Sequence, residues 1–169
     1  MKVNNPNYRK TLLVDNWIRG FVGYTGLGFL FGAFAVMDSF SFWRIVKFTL
    51  VLFPPLSVLN YFVLYHSVIN KKLREEGKNI EVAIKETETY AVRAAVVVLF
   101  LFPTASLLGA WFFSEFSTST AVLSVLLSAA ILACIHSKFI TPVDVPREPW
   151  RISKRISRYV PDLKGETPR

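Results

Sequence analysis

The sequence predicts an all-α membrane protein of four transmembrane helices. Both termini are expected on the same, positive, inner side, with a short amphipathic helix near the carboxyl terminus. Three observations predict this. Hydrophobic residues make up 52% of the chain and charged residues only 19%, with a mean hydropathy of +0.38. The apolar residues fall in four uncharged blocks, Gly20–Met37, Phe48–Asn70, Ala94–Ser114 and Phe116–Ser137. Each is close to the about 20 residues that cross a hydrocarbon layer ~30 Å thick. Finally, of 20 lysines and arginines, all but Arg44 and Lys47 lie before Arg19, between the second and third blocks, or after Ser137, with Arg19 itself included. The positive-inside rule turns those three regions toward the cytosol, the mitochondrial matrix or the stroma.

The chain opens on a polar stretch, residues 1–16, with Lys2, Arg9, Lys10 and Asp15. The first span, about 17–37, is too long for the apolar core of a cleaved secretory signal and reads as a retained helix. In it Thr25, Gly28, Gly32 and Ala35 share one face, with a GxxxG at Gly28–Gly32. In lipid no hydrophobic drive joins helices, so close backbone approach over small side chains favours their packing. The second span, about 48–69, contains Pro54–Pro55. Proline removes an amide donor and crowds the preceding turn, so a bend is expected there, with Ser57 or Asn60 meeting the freed carbonyls.

A charged loop, 70–91, follows. Glu81 and Lys85 are spaced to pair along a helix, and Ile80, Ala83, Ile84 and Thr87 form a modest apolar stripe. That helix is expected to run on into the third span, about 92–114, where Pro103 predicts a second bend. The fourth span, about 116–137, repeats the small-residue face with Ser117, Ala121, Ala129 and Ala133. The single cysteine, Cys134, excludes an internal disulfide.

The tail, 139–169, is basic and proline-rich. Pro142, Pro146 and Pro149 favour an extended run, after which Trp150–Val160 carries Arg151, Lys154, Arg155 and Arg158 around Ile152, Ile156 and Tyr159. Trp150 is a natural interface anchor. Such a segment suits anionic phospholipid or a groove on a neighbouring subunit. RNA phosphate is the least favoured partner, and DNA is not expected.

No catalytic residue is predicted. The chain has no GxxxxGK[ST], HExxH, CxxC or GxSxG pattern. Asp38 and Glu115 stand at the outer ends of spans, which leaves no intramembrane carboxylate relay. No cofactor is expected from a motif. The one pair that suggests one is His66 and His136, at similar depth in spans two and four, where two neutral imidazoles would hold a b-type haem iron.

The stretch "ETETYAVRAAVVVLFLF…FFSEFSTSTAVLSVLLSAAIL", from about Glu86 to Leu132, resembles the gamma subunit of the translocon-associated protein complex of the endoplasmic reticulum. The resemblance implies four spans, termini and a charged helical loop in the cytosol, and a short luminal turn between spans three and four. The loop here is shorter than in that family, the proline-rich tail is an addition, and no individual residue transfers.

Size, polytopic architecture and a basic balance (pI ≈ 9.8) lead to one functional expectation. The chain is read as a non-catalytic accessory subunit of a large organellar membrane complex, its partners being other membrane subunits and anionic phospholipid. The mitochondrial inner membrane, in a respiratory or ATP synthase assembly, is the expected site. The alternatives are a translocon-associated subunit of the endoplasmic reticulum and a b-haem-binding or small-solute transport protein.

Overall fold

The computed structural model describes residues 6–37, 41–75, 80–140 and 149–160, all of which are helical or in short connections. Helix α1 runs Pro6–Val36, α2 Phe42–Glu75, α3 Ile80–Val96, α4 Phe102–Glu115, α5 Thr118–Ile140 and α6 Arg151–Ile156, with a π-helical turn at Val97–Leu101 joining α3 to α4. Four of these stretches, Lys10–Val36, Phe42–Ser67, Glu81–Glu115 and Thr118–Ile140, are long and apolar enough to cross a membrane.

The helices overrun the boundaries read from hydropathy. α1 begins at Pro6, inside the stretch expected as a polar tail, and α2 runs on to Glu75, into the charged loop. The helix expected within that loop is α3, which starts at Ile80 and runs on into the third span. The physical reason is that charge ends a span without ending a helix: Lys, Arg and Glu are good helix formers, and their chains reach water beyond the apolar segment. The extended run expected at Pro142 and Pro146 lies outside the described residues.

The core is built from α1, α4 and α5, with α1 packed along both of the others. Tyr24, Ala105, Ala129, Leu132 and Ala133 form one buried cluster, and Phe31, Ile45 and Ala110 another. α2 lies outside this trio, along α3 and α4, and touches α1 mainly through Ile45 beside Phe31. Only 17% of its span is buried, against 33% for α1, so Leu50, Val51, Val58, Leu59, Phe62 and Val63 all point outward.

Small residues decide how near the core helices come. Gly109 on α4 lies directly on the backbone of Gly28 on α1, where any β-carbon would strike the Gly28 carbonyl. Gly28 also receives the Val125 side chain of α5, and Gly32 receives the ring of Phe113. Ala121 and Ala129 are buried on α5, while Ala35 is half-buried beside the second cluster. Gly20 seats Ala133.

The prolines act differently from each other. α2 continues through Pro54 and Pro55 as one helix, and both rings are exposed. Ser57 does not serve them: its hydroxyl donates to the Ala95 carbonyl of α3 at 2.7 Å, tying α2 to its neighbour. Pro103 instead follows the π turn Val97–Leu101. The wider turn relieves the crowding of the proline ring against the carbonyl one turn back. The hydroxyls of Thr104 and Ser106 donate to the Phe100 and Phe102 carbonyls at 2.6 and 2.9 Å.

Candidate functional site: a polar clip at one end of the bundle

Among the described residues, hydrogen bonds between distant parts of the chain gather where α1 starts, α5 ends and α6 lies. Their centre is Asp15, whose side chain is fully buried in the second half of the first polar stretch. One carboxylate oxygen, Oδ1, accepts the Trp150 backbone N–H at 2.8 Å and the Ser153 hydroxyl at 2.7 Å. The other, Oδ2, accepts Arg19 Nε at 2.7 Å. The guanidinium of Arg19 in turn lies over the Trp150 ring, 4.4 Å from its centroid. One turn further along, the hydroxyls of Thr11 and Ser157 hydrogen-bond at 3.1 Å.

This arrangement gives α6 a start that its own residues do not supply. Trp150, at the N-cap position, makes no side-chain cap bond. A carboxylate from α1 takes that role, satisfying one of the amides that a helix start leaves unpaired and favouring its positive dipole end. Arg19 and Asp15 are spaced i, i+4 on α1, so one helical turn holds both the anchor and the cation that balances it.

The docking face of α6 is not the one that apolar spacing suggests. Pro149, Ser153 and Ser157 are buried, whereas Ile152 and Ile156 are 53% and 41% exposed and Tyr159 87%. Arg151, Lys154, Arg155 and Arg158 are exposed as well. Ser153 faces Asp15 because a buried carboxylate needs donors, and Ser157 faces the Thr11 hydroxyl one turn on; both side chains are short enough not to hold the helices apart.

Deeper in the same end, Tyr24 is buried and its hydroxyl meets His136 Nδ1 at 2.9 Å, joining α1 to α5. Trp17 Nε1 donates to the Cys134 sulfur at 3.2 Å. The structure does not bring the two histidines together. His66 is exposed on α2, beside the Tyr65 ring, and α2 does not pack on α5. Among the described residues no group of three or more His, Cys, Asp or Glu stands close enough to hold a metal ion.

Asp15, Tyr24, Gly109, Ser153 and Ser157 were not distinguished by motif or spacing. Two faint signals exist for them: an acid four residues before Arg19 at the edge of an apolar run, and the small pair Ala105 and Gly109 four residues apart.

No protein-family model, curated protein or solved structure matches this chain.

Proposed function

We propose that the chain is a non-catalytic accessory subunit of a larger membrane assembly, packed against its neighbours through the outer face of α2. One observation carries this reading: the proline pair on that face. Pro54 and Pro55 offer no N–H to the carbonyls of Leu50 and Val51, one turn back. All four residues are exposed in mid-span, and the Ser57 hydroxyl is already committed to Ala95. In hydrocarbon an unmet carbonyl costs several kcal/mol, so a neighbouring helix that brings donors is favoured over lipid. The second span is also the least buried of the four, 17% against 28–33%, so α2 offers the most open face for such a neighbour.

The positive-inside rule orients the assembly with the α6 end toward matrix or cytosol. The mitochondrial inner membrane is the proposed site, and the endoplasmic reticulum is the alternative. The test is a photo-crosslinker placed at Val51 or Leu59, with Leu127 on the outer face of α5 as comparison, followed by native electrophoresis and organelle fractionation. Discrete protein adducts from α2 but not from Leu127, in a band well above 19.2 kDa, are expected. Lipid adducts alone, with migration as a monomer, would overturn the reading.

A further inference from the structure

We infer that the outward side of α6 is a binding surface for anionic phospholipid headgroups, held at headgroup depth by the Asp15 clip. The inference rests on the chain spanning a membrane and not on its having protein partners.

Three faces of α6 have three different characters. At ~100° per residue, Pro149, Ser153 and Ser157 form one strip, and that strip is buried on α1. Ile152, Ile156 and Tyr159 fall on the flank beside it. Arg151, Arg155 and Arg158 spread around the far side, and all six side chains are exposed. The docked strip fixes the rotation of the helix, so its apolar flank and its cations are presented in a set arrangement rather than by a tumbling tail.

Depth follows from what the strip touches. Asp15 and Thr11 hold α6 beside the start of α1, just before the uncharged run that begins at Gly20. Trp17, Arg19 and Trp150 stand at this same level, and Arg19 lies over Trp150. Tryptophan and arginine together at the end of an apolar run are the side chains that settle where hydrocarbon gives way to headgroups. An apolar flank reaching a few ångströms into that boundary, with guanidinium groups among the phosphates, is the arrangement of an interfacial helix.

Lipid fits this surface better than a protein does. The exposed flank offers Ile152 and Ile156 on a helix of six residues and Tyr159 in the turn just beyond it, far short of the about 800 Å² per partner that a stable protein interface buries. Phosphate diesters need no preformed groove, and arginine pairs with them in a forked geometry. Because the clip orders α6 in advance, lipid binding does not have to order it again.

The experiment uses the full chain in a neutral detergent. Phosphatidylglycerol and phosphatidylcholine of identical acyl chains are added in equal amounts, and retained lipid is counted by native mass spectrometry. The wild type is expected to retain phosphatidylglycerol preferentially, with the preference falling as salt is raised. R151Q/R155Q/R158Q should lower it by about fivefold per charge removed, with helicity unchanged by circular dichroism. R44Q/K47Q, changed at the other end of the bundle, should leave it intact. Equal retention of the two lipids by the wild type would overturn the inference, and so would a preference that survives the triple substitution. A chain that keeps the preference yet migrates as a monomer defeats only the assembly reading. One that joins an assembly without the preference defeats only this one.

Discussion

Asp15 and Trp150 stand 135 positions apart and are joined by a 2.8 Å hydrogen bond from the Trp150 amide to the Asp15 carboxylate. That bond closes the chain on itself: the carboxyl-terminal helix is held by the first turns of the first helix. Ser153 and Arg19 also donate to the carboxylate, and the consequences of removing it can be stated.

Asp15→Ala should release α6. It removes the acceptor for the Trp150 amide, the Ser153 hydroxyl and Arg19 together, and bonds to a charged group contribute about 1.5–3 kcal/mol each. Hydrogen exchange at 150–157 should speed up and the tail should become open to protease, while protection in α4 and α5 stays as it was. Ser153→Ala should do the same more weakly. If Asp15→Ala leaves exchange in α6 unchanged, the clip does not hold it.

Gly109→Ala should destabilise the bundle by about 3 kcal/mol or more. The added methyl meets the Gly28 backbone rather than a side chain that can turn away, and overpacking costs about 1–3 kcal/mol even where neighbours yield. Gly23→Ala and Gly26→Ala meet nothing within 4 Å. Those two should be neutral or stabilising by up to about 1 kcal/mol through helix propensity. Thermal unfolding in detergent separates the cases, and equal melting temperatures for all three variants would refute the close crossing.

Tyr24 and His136 should respond unequally to mutation. Tyr24→Phe removes the hydroxyl and its bond together, costing about 0.6 kcal/mol by the measure of interhelical bonds in membranes. His136→Ala leaves the buried Tyr24 hydroxyl without this partner and opens space beside Gly20, so its cost should reach about 1–3 kcal/mol. A larger loss for Tyr24→Phe than for His136→Ala would contradict the pairing.

Ser57→Ala should loosen α2 from α3 by a similar about 0.6 kcal/mol, read as faster exchange near Ala95. Were Ser57 serving the proline carbonyls of α2 instead, exchange would quicken within α2 and not in α3.

The sequence by itself determined the four apolar helices, because the thickness of a bilayer imposes a length that composition either meets or does not. It also singled out Gly28 and Gly32, since a face of missing side chains is visible from spacing alone. Helix ends were less legible: hydropathy reports where lipid stops, whereas the hydrogen-bond ladder of α1, α2 and α3 continues through charged residues that are themselves good helix formers. Only the tertiary structure decided which glycine Gly28 meets, because Gly109 becomes its neighbour through the crossing of α1 and α4. It alone decided the face of α6. Spacing picks out Ile152, Ile156 and Tyr159, yet Ser153 and Ser157 are the buried pair. A carboxylate buried far away in the sequence needs hydroxyl and amide donors more than the helix needs to cover three apolar side chains, and that need appears only when α1 and α6 lie side by side.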